Sequence, residues 1–253
     1  MHSRPWLWPN LLSLDAPVVA LLWQLLFVRC FHGSLGTLPA ALLAIAVWLI
    51  YVADRTLDAL RGCVEQPRHE FYRRHWRAVL PIWIVMLGGG AWLAWSRLPG
   101  PLFIEGAAVA SGTGLYLAAV HMGFLQRANS KESAVAVLFG LGASLAAWPR
   151  VQTASDVLAI LLFSCLCWMN CVAIDDWEHN RELRPSVIAA AGIVAVVAAY
   201  LLREHRPILG GAETAGALGL VVLDQLRVRY SPEALRVLAD VVLLTPILFL
   251  MCT

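Results

Sequence analysis

The sequence predicts an all-α polytopic membrane protein of about nine transmembrane helices. Three observations predict it. First, 60% of the 253 residues are hydrophobic and only 14% charged, where an ordinary soluble chain carries about a quarter charged residues. Second, the mean hydropathy is +0.70. Third, apolar runs near the ~20 residues needed to cross ~30 Å of hydrocarbon recur along the whole chain, separated by short breaks rich in Gly, Pro and Arg.

In order, the nine runs are Leu14 to Phe31, Leu38 to Leu60, Val79 to Ser96, Pro101 to Gly123, Ser133 to Pro149, Val157 to Asp175, Ser186 to Leu202, Gly210 to Leu226 and Leu235 to Cys252. Asp15 before Ala16 and Pro17 reads as the N-cap of the first. Arg97-Leu98-Pro99-Gly100-Pro101 ends the third and starts the fourth, and Arg206-Pro207 precedes the eighth. The fifth sits at the ~17-residue lower limit for a span. Asp224 with Arg227, and Arg236 with Asp240, read as structural pairs near helix ends. One transmembrane domain over residues 1–253 is expected, with loops 61–78 and 176–185 forming a cytoplasmic cap.

The loop charges give an independent orientation, because cytoplasmic loops carry the excess of Lys and Arg. With the N-terminus inside, thirteen basic residues fall on that side: Arg4, Arg61, Arg68, Arg73, Arg74, Arg77, Arg127, Lys131, Arg181, Arg184, Arg227, Arg229 and Arg236. Arg29, Arg97, Arg150, Arg203 and Arg206 fall on the other. The expectation is a multi-pass protein with a cytoplasmic N-terminus, and its compactness suggests a bacterial inner membrane. A net charge of +2 implies no nucleic-acid partner. The N-terminal MHSRPWLWPN lacks the pattern of a removable signal. The six cysteines form no CxxC or zinc-like spacing, and Cys165, Cys167 and Cys171 read as small buried hydrophobes.

Two acidic motifs carry the chemistry. The second run climbs through Val47, Trp48, Leu49 and Ile50 and then places Asp54 and Asp58 at i and i+4, on one helix face. A carboxylate within a membrane helix costs ~2.5 to 3.5 kcal/mol on insertion scales, so two together call for a compensating partner. A divalent cation in a water-filled cavity supplies one. A salt bridge with Arg55, Arg61 or a neighbouring helix is the competing reading. The second motif, IDDWEHNRE from Ile174 to Glu182, closes the sixth run. Its Asp175 and Glu178 at i and i+3 would form an opposing wall, with His179 on the same face as a phosphate donor or proton acceptor. Charges at a helix exit are also ordinary.

The pattern resembles the UbiA superfamily of intramembrane prenyltransferases, in which an NDxxDxxxD motif and a later DxxxD-type motif bind magnesium and a polyprenyl diphosphate. Asp54 and Asp58 match the last two acids of the first motif, while Ile50 and Tyr51 stand where its Asn and first Asp are expected. Asp175 matches the leading acid of the second, Glu178 an inner acid, His179 the closing acid and Arg181 the basic residue that follows. Lys131, the only lysine, resembles the family's cytoplasmic Lys near the end of the fourth helix.

The resemblance implies a UbiA-like bundle and transfer of an isoprenoid from a prenyl diphosphate to a hydrophobic aromatic or lipid acceptor. It implies Mg²⁺ on Asp54, Asp58, Asp175 and Glu178, with His179 assisting and Lys131 and Arg181 on the diphosphate. Closure of the carbocation on itself, as in a terpene cyclase, is a second reading, and ion or proton handling without catalysis a third.

In the loop GCVEQPRHEFYRRHWR, the residues His69, Arg73 and Arg74 are candidates for an anionic headgroup. The alternative is a basic, aromatic anchor at membrane lipid, preferred for Trp76 and Arg77. Trp48, Tyr51, Tyr116, Trp168 and Trp177 are candidates for lining a prenyl cavity, although most of eleven tryptophans in such a chain serve packing and interfaces.

Overall fold

The computed structural model describes residues 8–61, 67–124, 130–179, 181–201 and 206–252. Among them the secondary structure is helical, with no strand. Backbone groups inside hydrocarbon have no water to bond, so a chain this apolar satisfies them within helices. Arg4, Arg127 and Arg203, and the side chains of Arg68 and His69, lie outside the described residues.

Among the described residues, six helical segments are long and apolar enough to cross a membrane: Thr37–Leu60, Glu70–Arg97, Gly100–His121, Lys131–Arg150, Ala154–Glu178 and Pro207–Arg229. Helix also forms at the other three expected runs, but shorter. The first is the 16-residue Asp15–Cys30, about 24 Å at 1.5 Å per residue. The seventh is the 17-residue Pro185–Leu201. The ninth is not one span: Pro232–Val242 stops, a turn follows, and Pro246–Phe249 makes a single further turn. Pro246 has no N–H to offer a preceding turn, so it starts a helix instead of continuing one.

In chain order the helices are α1 (Trp8–Leu11), α2 (Asp15–Cys30), α3 (Thr37–Leu60), α4 (Pro67–Arg97), α5 (Gly100–His121), α6 (Ser130–Ser144), α7 (Ala154–Glu178), α8 (Pro185–Leu201), α9 (Pro207–Leu226), α10 (Pro232–Val242) and α11 (Pro246–Phe249). The chain forms two compact units. The first comprises residues 1–21 and 36–124, the second residues 22–35 and 125–253.

In the first unit α3 packs against α4. Val52, Ala59 and Tyr72 form the buried centre, covered by Trp48, Phe71, Val79 and Trp83. Both indoles are tied down: Trp83 Nε1 donates to the Leu49 carbonyl at 2.8 Å and Trp48 Nε1 to that of Leu12 at 3.1 Å. The stretch expected as loop 61–78 is helical from Pro67. Pro67 suits a first helical turn and Glu70 complements its dipole, so basic residues there extend α4 and do not break it. Ser13, between α1 and α2, takes a left-handed φ of 57°. Its hydroxyl meets both Tyr72 Oη and Arg55 Nη1 at 2.9 Å, which anchors that turn.

The second unit centres on α7, which packs against α6, α8, α9 and α10. Trp23 stacks on Phe163 at 4.2 Å, and its Nε1 donates to the Leu243 carbonyl at 2.9 Å. Gly140 sets the α6 to α7 distance, since a Cβ there would stand 2.0 Å from Ser164 Oγ. Gly216 does the same for α9, where a Cβ would meet Leu166 at 2.8 Å. The start of α7 is fixed by Thr153 and Asp156 in a capping box.

Candidate functional site

In the first unit, α3 presents Asp54 and Asp58 near its C-terminal end, as the i, i+4 spacing predicts. Their partner comes from the end of α5. His121 Nε2 lies 3.4 Å from Asp58 Oδ1 and 3.9 Å from Asp54 Oδ1. The imidazole is buried, its side chain 7% exposed, whereas the two carboxylates are 26% and 34% exposed. His121 Nδ1 donates to the Leu117 carbonyl at 2.9 Å; a carbonyl only accepts, so this bond places the proton on Nδ1. Nε2 faces the acid pair, and no hydrogen-bond geometry is met there. A neighbouring helix therefore does face the pair, but with an imidazole.

Arg55, between the two acids in sequence, turns the other way. Its buried guanidinium bonds the Asn10 carbonyl and Ser13 Oγ, stands 3.9 Å from Asp15 Oδ2 and lies 5.7 Å from the Tyr51 ring centroid. The Arg55 alternative for neutralising the pair is thereby excluded, because on a helix a residue one position from Asp54 points about 100° away. Asp15 also does more than cap: it accepts from Asn10 Nδ2 at 2.6 Å and from the Ala16 N–H at 3.0 Å.

At the head of α4, Arg73 and Arg74 are exposed. His75 Nδ1 donates to the Phe71 carbonyl at 2.9 Å, and Arg77 lies over Trp76 at 5.6 Å.

In the second unit the acidic motif is wrapped in arginine. Asp175 Oδ2 accepts from Arg181 Nη2 at 2.8 Å and Arg184 Nη2 at 2.6 Å. Asp176, fully buried, accepts from Arg184 Nε at 2.9 Å and from the Arg184 N–H at 3.2 Å, with Arg181 Nε at 3.3 Å. Glu178 pairs with Arg236 of α10, and Glu182 with Arg227. Asp224 of α9 receives Trp177 Nε1 at 3.0 Å and the Leu183 N–H at 3.3 Å. The network pins the α7 to α8 connection to α9 and α10. His179 is 62% exposed and its Nδ1 bonds its own helix at the Asp175 carbonyl, 2.7 Å away.

Lys131 is the second residue of α6, where a loop position was expected. It lies, with Glu132 and Asp240, within electrostatic reach of Cys171, one turn before Asp175. Two tryptophans proposed for cavity lining are held by hydrogen bonds at Nε1, Trp48 to Leu12 and Trp177 to Asp224.

No protein-family model matches the chain, and comparison with curated proteins and with solved structures gives no match. The chemistry of the site therefore rests on its own residues. Among the described residues no group of three or more His, Cys, Asp and Glu side chains is arranged to hold a metal. Mg²⁺, however, is commonly held through one or two carboxylates, with waters and phosphate oxygens completing its shell. Partly exposed Asp54 and Asp58 fit that donor set. Asp175 and Glu178 fit it less well, because each carries a guanidinium.

Sequence reasoning did not single out His121, Asp176 or Arg184. A lone histidine ending an apolar run has no local pattern. Asp176 had one: in an Asp-Asp pair at a helix end, the two residues face different sides.

Proposed function

We propose that this chain is a magnesium-dependent intramembrane prenyltransferase of the UbiA type, moving an isoprenoid from an allylic diphosphate to an aromatic or lipid acceptor. The observation that carries the reading is the Asp54 and Asp58 pair on an apolar helix, partly exposed and facing a buried imidazole, with Arg55 committed to Asp15 and α1. Mg²⁺, when bound, neutralises the diphosphate leaving group. Asp54 and Asp58 hold the ion. His121 stands behind the pair at 3.4 to 3.9 Å.

Within the second unit taken by itself, Asp175 and Asp176 orient Arg181 and Arg184, donors of the type that binds phosphate oxygens, as is Lys131. Because Asp175 already occupies both guanidinium groups, an incoming phosphate exchanges with a carboxylate there. Glu178, held by Arg236, plays the corresponding part against α10. The proposal includes a UbiA-like arrangement of the nine runs, the last entering as the broken pair α10 and α11, with the N-terminus cytoplasmic, supported by the bias of basic residues toward one set of loops.

The test is pyrophosphate release by the purified protein in detergent, offered allylic diphosphates of increasing chain length with and without Mg²⁺. Magnesium-dependent release that falls at least ~100-fold in Asp54→Ala and Asp58→Ala is expected, the loss typical of removing charge stabilisation at a leaving group. No release from any substrate by folded protein would overturn the reading.

A further inference from the structure

A buried carboxyl group outside both acidic motifs has no role in this chemistry. Glu213 lies in α9, within the membrane-spanning segment Pro207–Arg229. Its side chain is fully buried, and among the described residues neither carboxyl oxygen has a hydrogen-bond partner. Its own helix surrounds it with Leu209, Ala212, Ala217 and Leu220, all without exposed surface.

The same unit shows how this fold supports a buried carboxylate when it keeps one. Asp156, also fully buried, accepts from the Gln152 N–H at 3.0 Å, the Thr153 N–H at 2.9 Å and Arg206 Nε at 2.8 Å. Glu213 has none of these. An isolated ionised carboxylate in an apolar interior is so costly that the group takes a proton instead.

We propose that Glu213 is a proton-binding site in the interior of the second unit, occupied at neutral pH as the uncharged carboxylic acid. The ligand class is the proton itself, and ionisable groups placed this way mark proton paths in membrane proteins. The charges on the neighbouring elements, among the described residues, are these. On α2, Arg29 bonds the Leu250 carbonyl at 3.1 Å and Cys30 is within electrostatic reach of both Glu213 and Arg206. Arg206, at the head of α9, is bound to Asp156 of α7 and lies over Phe31 at 5.3 Å. The other ionisable groups of α7 are its three cysteines and the arginine-bound acids at its far end. On α9 itself Asp224 is engaged by Trp177 and Arg227. The helix α10 carries Glu233, Arg236 and Asp240, and approaches α9 at Gly219 through Val242. The helix α8 offers only Tyr200, and α11 none.

The probe is N,N′-dicyclohexylcarbodiimide, an apolar reagent that consumes the neutral acid. The carboxyl proton moves to one carbodiimide nitrogen while the carboxyl oxygen bonds to the central carbon. The acyl group then shifts to nitrogen, leaving a stable N-acylurea with nothing expelled. Full-length protein in detergent is treated at neutral pH and mapped by peptide mass spectrometry. An ordinary carboxyl with a pKa near 4.3 is protonated in only about one molecule in 500 at pH 7, so a neutral acid labels at least ~100-fold faster.

The expected result is one adduct per chain, on Glu213, absent from Glu213→Gln. An infrared C=O band of a protonated carboxylic acid, lost in the same variant, is expected alongside it. Wild-type protein that stays folded but carries no adduct on Glu213 and shows no such band would overturn the proposal, as would labelling unchanged in Glu213→Gln. Neither readout depends on prenyl transfer, so each stands whether or not the activity proposed above is found.

Discussion

The two acidic motifs use the same residue types in opposite ways. Asp54 and Asp58 meet a neutral-capable imidazole whose Nε2 stands 3.4 and 3.9 Å away. Asp175 and Asp176 meet two guanidinium groups at hydrogen-bond distance, with Asp176 fully buried. A guanidinium gives a carboxylate fixed, paired donors and a permanent charge. An imidazole gives one nitrogen whose charge depends on its proton. The first arrangement leaves both carboxylates partly exposed, and the second ties the start of the α7 to α8 connection back to the end of α7.

The largest effect that would break this contrast lies in the second unit. Removing Asp176 leaves Arg184 and Arg181 without their buried acceptor. Breaking a fully buried pair costs about 3 to 5 kcal/mol, and the partial exposure of both arginines lowers this to roughly 2 to 4 kcal/mol. Asp176→Ala should therefore unfold at a clearly lower temperature in detergent, measured by tryptophan fluorescence; an unchanged midpoint would make the network decorative.

Next in size is Asp58→Asn. It should leave the unfolding midpoint almost where it was, because its carboxylate is partly exposed and carries no hydrogen bond to His121. It should cut pyrophosphate release about 100-fold, equivalent to ~2.7 kcal/mol of barrier. A variant that loses stability and activity together would place Asp58 in the same structural class as Asp176.

Smaller effects sharpen the comparison. Thr153→Ala removes the hydroxyl of the α7 capping box and should cost ~1 kcal/mol, read by the same fluorescence melt. Arg181→Gln should cost no more than ~1 kcal/mol in stability, since the side chain is half exposed and Arg184 still holds both acids. Its effect should appear in the substrate KM, because a phosphate donor is lost.

The spans were legible because hydropathy and length are local properties. Thr37–Leu60 and Ala154–Glu178 fall close to the expected runs. The head of α4 was not, because Arg73, Arg74 and His75 read as loop by polarity, yet a helix tolerates exposed charge on one side while Tyr72 is buried on the other. The final run failed at Pro246, where composition stayed apolar but the backbone lost a donor. The Asp54 and Asp58 spacing was legible from helix geometry alone. Their partner His121 was not, because it is brought to α3 by the packing of α5, and no spacing rule links residues so far apart in sequence. Glu213 was invisible for a similar reason: only burial without a partner distinguishes it from an ordinary interfacial acid.

The most direct measurement is the thermal unfolding of wild type, Asp54→Asn/Asp58→Asn and Asp175→Asn/Asp176→Asn, each with and without Mg²⁺ and pyrophosphate. A ligand at one hundred times its Kd stabilises the folded state by about 2.7 kcal/mol. The account predicts that wild type gains stability with both ligands together and that the first double variant keeps the wild-type midpoint but loses the gain. The second should melt early even without ligand. It would be contradicted if the first double variant melted as early as the second, or if the ligands shifted it as far as wild type.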